Sequence, residues 1–174
     1  LITVLAKRKA MVQIRYREKS YHKLKFSFSK DVSFQRILNT LNRVEFNGSV
    51  DNDEQAVYAI LELVNNSLRA HREKNVKEKI ILHMRALDER IHIRLQDKGG
   101  GFNLEALPYD ITTPVEEIDT ASDSFEGYRE KHQYRRFGMG LLLARKIFPG
   151  FKLSFYHENG NRGTVIELSN RSLE

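Results

Sequence analysis

The sequence predicts an α+β fold: a two-layer sandwich in which one mixed β-sheet carries helices on one face. Three observations predict it. Apolar and polar residues alternate along six short stretches, the spacing of half-buried strands. Three other stretches repeat their apolar residues at helical spacing. The order is strands, two helices, a strand pair, a long aperiodic segment, a helix and a last strand pair. That is not the strict alternation of a doubly wound sheet, and no internal repeat is present.

The elements follow in order. Residues 11–17 alternate Val12, Ile14 and Tyr16 with Gln13, Arg15 and Arg17, and residues 23–29 alternate around Leu24, Phe26 and Phe28. Both read as strands. Asp31 to Ser33 offers an N-cap, and Phe34, Ile37, Leu38 and Leu41 then keep helical spacing until Asn47-Gly48 breaks the pattern. A second helix is expected from about Asp53 to Arg72, with Val57, Ile60, Leu61, Val64 and Leu68 on its apolar face. Strands are expected near 79–87 and 90–97 around a turn at Asp88-Glu89. The second runs into Asp97-Lys98-Gly99-Gly100-Gly101-Phe102.

Residues 103–137 hold two of the three prolines, an acidic stretch (Glu116, Glu117, Asp119, Asp123, Glu126) and then a basic one (Arg129, Lys131, Arg135, Arg136). A segment of this length with weak periodicity reads as a functional lid or a mobile loop. A helix is expected to start at Gly138-Met139-Gly140 and run to Phe148, where Pro149-Gly150 stops it. Strands near 151–157 and 163–169, joined at Asn159-Gly160-Asn161, close the chain.

The 174 residues, 40% hydrophobic and 30% charged, suit one globular domain. No cysteine is present, which excludes disulfide scaffolds, thiolate zinc sites and cysteine catalysis. No apolar run reaches the roughly 20 residues of a membrane helix and no signal peptide is seen, so the expected location is cytoplasmic. The net charge of +6 is local: residues 1–30 carry nine Lys or Arg against the single acid Glu18. Such a segment could steer an anionic partner, but a solvated arm or strand face is the plainer reading. Residues 1–22 are read as a basic N-terminal arm or additional strand, and 23–174 as the main domain.

Four groups carry chemistry. Asp97 ends a strand before glycines that let backbone approach a ligand closely, and an ionised Asp only accepts hydrogen bonds. It suits an exocyclic amino group such as adenine N6. Gly138-Met139-Gly140-Leu141 opens a helix whose free amides suit phosphate. Glu62 and Asn66 lie four apart and share a helix face. Asn offers a neutral oxygen to Mg²⁺, and Glu can take a proton from a hydroxyl. Arg162-Gly163-Thr164 brings a hydroxyl into the last strand. Each group alone fits a plain turn, cap or polar helix edge. His83, His92, His132 and His157 show no metal-ligand spacing, and Tyr128 and Tyr134 read as packing residues.

The order changes the reading: Glu-x-x-x-Asn, then Asp-x-Gly-x-Gly-Phe, then Gly-x-Gly-Leu, then Gly-Thr. Over about residues 55–168 this series resembles the Bergerat-fold (GHKL) ATPases, which include gyrase, heat-shock chaperones, histidine kinases and mismatch-repair proteins of the MutL type. The resemblance implies ATP and Mg²⁺ as cofactors. It implies Asn66 as the Mg²⁺ ligand, Glu62 as a catalytic base and Asp97 as the adenine reader. It places Gly99, Gly101 and Phe102 beneath the nucleotide, Gly138, Met139, Gly140 and Leu141 at the phosphates, and Thr164 near the adenine. Arg69 resembles a basic residue that histidine kinases place near the phosphates, and Arg135 or Arg136 would add charge there.

Within the family, Leu24 to Phe28 followed by Phe34 to Leu41 looks like the opening of the serine kinases that act as anti-sigma factors. The implied function is Mg·ATP-dependent phosphorylation of a protein serine or threonine in a partner-switching system. The implied partner is an anti-sigma antagonist, a sigma factor or a response-regulator pathway component, and a homodimer is compatible with the resemblance. Nucleic acid is not expected. The alternative is the ATP-binding domain of a sensor histidine kinase, whose acceptor helix is not seen here, since neither His22 nor His71 stands in an acceptor context. A second alternative is a binding-only ATP sensor. Large gyrase-type ATPases need transducer domains for which 174 residues leave no room.

Overall fold

One long central helix organises the fold. The structure, a computed structural model, describes residues 12–100, 107–119 and 139–173. Its elements in chain order are β1 (Ile14–Tyr16), β2 (Lys19–Tyr21), β3 (Lys23–Phe28), α1 (Phe34–Leu41), β4 (Val44–Glu45), α2 (Asp53–Glu73), β5 (Ile80–Leu87), β6 (Arg90–Asp97), α3 (Met139–Ile147), β7 (Gly150–Glu158) and β8 (Asn161–Ser169). A 3₁₀ turn spans Val115–Glu117.

Five strands form the main sheet in the order β3-β5-β6-β8-β7, and β2-β1-β4 form a small second sheet. The two-layer α+β architecture is the expected one. The strand directions are not mixed, however: every pairing among the described strands is antiparallel. Direct hairpins explain much of this. β5–β6 turns at Asp88, which takes a left-handed φ of 53°, and β7–β8 turns at Asn159-Gly160, at 50° and 77°.

The caps of α2 match its sequence. The Asn52 side chain accepts from the Gln55 amide at 3.0 Å. Asp53 and Glu54 occupy the first turn and Arg72 the last, as the helix dipole favours. Its inner face buries Val57, Ile60, Leu61, Val64 and Leu68. α1 starts at Ser33, whose hydroxyl accepts from the Arg36 amide.

Strand alternation splits the sheet into two faces. The helix-side face is built in rows across the strands: Met84, Ile93, Leu168 and Phe151, then Leu82, Leu95, Ile166 and Leu153. The other face carries Lys23, Lys25, Arg85, Arg94 and Lys152. Burial, and then Lys25, Arg85 and Arg94, hold the His83 imidazole below its ordinary pKa. Part of the basic N-terminal charge thus becomes a strand face.

The described part of segment 1–22 joins the fold. β1 pairs with β2 and with β4, and Ile14 is fully buried in the core. The hairpin turns at Arg17 and Glu18, both with left-handed φ. Of the expected lid, only residues 107–119 are described. They pack Leu107 and Ile111 on the core, and the Arg145 guanidinium of α3 donates to the Thr113 carbonyl.

Candidate functional site

The site begins where the apolar rows end. The next row of the helix-side face is Asp97, Thr164 and Phe155, on β6, β8 and β7. Asp97 is 1% exposed and Thr164 equally so. A carboxylate so deep must be hydrogen-bonded or neutralised.

Asp97 is well bonded. The Ser67 hydroxyl of α2 donates to Oδ2 at 2.6 Å. The Gly99 and Gly100 amides donate to Oδ1 at 3.0 and 3.1 Å. An ionised carboxylate has about four acceptor positions, so three are filled and one remains for a ligand donor. Burial raises the carboxyl above its ordinary pKa, while the Ser67 bond, the Gly99 amide, His71 and the Gly100 amide pull it down without cancelling that.

The turn after Asp97 needs its glycines. A Cβ on Gly99 would lie 2.9 Å from the Ala70 Cβ and 3.0 Å from the Ala70 carbonyl carbon. Gly100 takes φ +57°, and a Cβ there would lie 2.7 Å from the Arg162 carbonyl oxygen. The turn therefore packs on the last turns of α2 and on the start of β8 with no side chain between.

The predicted N-box residues occupy α2. Asn66 is 6% exposed, and its Oδ1 accepts from the Arg69 guanidinium at 3.3 Å. Its Nδ2 is buried without a partner, and the Thr164 Oγ1 is orphaned in the same way. An unmet buried polar group costs about 1–3 kcal/mol. Two such atoms, one next to Ser67 along α2 and one opposite Asp97 in the sheet, are unmet polar groups on offer to a polar ligand. Glu62, one helical turn before Asn66, is half-buried. It meets α3 closely: a Cβ on Gly140 would lie 2.8 Å from the Glu62 Cβ. Gly140 thus brings the first turn of α3 onto α2 at Glu62. Leu141 is fully buried in the core, leaving only its backbone for a ligand.

Gly101, Phe102, Arg135, Arg136 and Gly138 lie outside the described residues, and Met139 is described only as the first residue of α3. No cluster of three or more His, Asp or Glu side chains suited to a metal exists among the described residues. A Mg²⁺ ion held here would draw on the Asn66 oxygen and on the phosphates of a bound nucleotide, a donor set this cation accepts when it keeps most of its waters. Asn66 fits that role once its oxygen leaves Arg69.

Sequence reasoning missed three residues. Ser67 was passed over, though a serine on the buried face of a helix needs a partner. Tyr156 lies across Gly163, and its hydroxyl donates to the Asp97 carbonyl at 2.7 Å. His71, fully buried, holds the Lys98 amide at 2.9 Å. Its imidazole lies below the ordinary histidine pKa because of burial, with Asp97 and the Glu78 carbonyl opposing.

Residues 51–171 match the family model described as histidine kinase-, DNA gyrase B-, and HSP90-like ATPase. No curated protein matches the chain.

Proposed function

The chain belongs to the family of histidine kinase-, DNA gyrase B- and HSP90-like ATPases and is an ATP-binding domain of that kind; from that premise we propose that it is a Mg·ATP-dependent protein kinase acting on a serine or threonine of a regulatory partner. The remaining acceptor position of Asp97 takes the adenine amino group, and the bare Thr164 hydroxyl bonds the base edge. Asn66 would hold Mg²⁺, which neutralises phosphate charge when bound. Arg69, released from the Asn66 oxygen, then faces the phosphates. The first turn of α3 supplies backbone amides to them.

The observation that carries the kinase reading is Glu62. It is half-buried, one turn from Asn66, on the α2 face that the start of α3 covers. A neutral imidazole attacks phosphorus without first losing a proton, whereas a hydroxyl needs a base. A carboxylate beside the phosphate end of the site therefore favours a hydroxyl acceptor. Positioning and charge neutralisation supply the rest of the catalysis. The acceptor fits a partner-switching pathway of the anti-sigma type.

The test uses ATP labelled at the γ-phosphoryl and a lysate of the source cells, with ATP binding measured in parallel. The expected label on protein is acid-stable, as phosphoserine is. It disappears with Glu62→Ala while ATP binding stays within about twofold, since the base is idle in the ground state. An acid-labile label would give the chain to the histidine kinases. An acid-stable label that survives Glu62→Ala would remove Glu62 from catalysis.

A further inference from the structure

α2 grips the turn after Asp97 at two points. Ser67 bonds the Asp97 carboxylate, and His71, one helical turn later on the same face, bonds the Lys98 backbone. We infer that His71 is a positioning residue: its imidazole, bridging the Glu78 carbonyl and the Lys98 amide, holds the Asp97–Gly100 turn in the shape that receives the nucleotide. This deepens the ATP reading above and rests on it.

The protonation state follows from the partners. The Lys98 amide can only donate, so His71 Nε2 is an unprotonated acceptor at 2.9 Å. The ring proton then sits on Nδ1 and is donated to the Glu78 carbonyl at 3.0 Å. Of the three forms of imidazole only this tautomer satisfies both partners. The ring is fully buried and sits directly under the turn: a Cβ on Gly99 would come within 3.0 Å of its Cδ2.

The bridge closes a ring of contacts. The Lys98 ammonium pairs with Glu78 at 4.0 Å and with Glu158 at 3.5 Å, so Lys98 is tied to the α2–β5 loop through both its backbone and its side chain. Every backbone N–H from Lys98 to Gly100 is donated inside the protein, one to His71 and two to Asp97. The Tyr156 hydroxyl fixes the Asp97 carbonyl from the other face of the sheet. His71 touches neither acceptor oxygen of Asp97 through a hydrogen bond. It acts through the backbone, by setting where the carboxylate stands. Ser67 and Gly99 then have one geometry to meet rather than several.

Two substitutions separate positioning from bulk packing. His71→Phe keeps a ring and removes both hydrogen bonds. His71→Gln restores an acceptor at the reach of Nε2. Three readouts are compared in wild type and both variants: thermal midpoint, amide exchange of Lys98 and Gly99 without nucleotide, and affinity for a non-hydrolysable ATP analogue. The expected result for His71→Phe is a roughly tenfold faster exchange at Lys98 and a roughly tenfold weaker affinity, the scale of one lost buried hydrogen bond. His71→Gln recovers most of both. A nitrogen-15 spectrum of the wild-type ring should show the Nδ1–H tautomer. A Lys98 amide as protected in His71→Phe as in wild type would overturn the inference. So would equal losses in both variants tracking a shared drop in thermal midpoint, which would make His71 a packing residue alone. Failure of the wild-type protein to bind the analogue, with Lys98 exchange still responding to His71→Phe, would instead overturn the ATP reading.

Discussion

Asp97 and Asn66 are both buried polar side chains of one site, yet the protein treats them in opposite ways. Asp97 accepts from Ser67, Gly99 and Gly100, and its own carbonyl is held by Tyr156. Asn66 has one long bond from Arg69 and a bare Nδ2, and Thr164, opposite Asp97, has a bare hydroxyl. One half of the site is assembled before any ligand arrives. The other half keeps unmet polar atoms, which the proposed nucleotide would pair. On the proposed reading the difference separates what is set from what is filled: the groups around Asp97 are committed and leave a single acceptor position, while the Asn66 amide on α2 and the Thr164 hydroxyl opposite Asp97 stay uncommitted. Preorganised groups lower the reorganisation needed on binding, and uncommitted ones gain most from a polar ligand.

The largest expected effect tests the rigid half. Gly99→Ala places a methyl 3.0 Å from a backbone carbon of Ala70, which cannot move without moving α2. Unfolding by urea should show a loss of about 1–3 kcal/mol, the usual cost of overpacking. An unchanged midpoint would mean that the turn does not pack on α2 as closely as described, and the contrast with Asn66 would weaken.

A smaller effect of the opposite character is expected in the open half. Thr164→Val keeps the shape and deletes the orphaned hydroxyl. Thermal stability without nucleotide should stay level or rise, since a buried unmet polar group is removed. Affinity for an ATP analogue should fall by about three- to tenfold, the worth of one neutral hydrogen bond. A drop in stability with unchanged affinity would show that the hydroxyl serves the fold rather than a ligand.

Much of this was legible before the structure. α2 was readable because its apolar spacing and its Asn52-Asp53-Glu54 start agree. The β5–β6 and β7–β8 hairpins were readable because alternation runs up to a recognisable turn on each side. The β1–β2 hairpin was not, because Arg17 and Glu18 take left-handed φ without being turn-forming residues. β4 has two residues and exists only through its pairing with β1. In the site, Asp97, Asn66, Glu62 and Thr164 carry their own chemical signal. Ser67, His71 and Tyr156 do not: their meaning lies in partners that folding brings from 27 to 59 residues away. Strand direction is a tertiary property as well, which is why a mixed sheet was expected and an antiparallel one found.

The central claim is that the last acceptor position of Asp97 reads a nucleotide base, and calorimetric titration tests it most directly. Wild type and Asp97→Asn are titrated with a non-hydrolysable ATP analogue, with and without Mg²⁺. Wild type should bind saturably and more tightly with Mg²⁺. Asp97→Asn should bind about 10- to 100-fold more weakly, because the charged acceptor is lost and an amide whose oxygen keeps the Gly99 and Gly100 N–H groups turns its own NH2 donor toward the ligand's amino group. Equal affinity of the two proteins, or no binding by wild type at millimolar nucleotide, would contradict it.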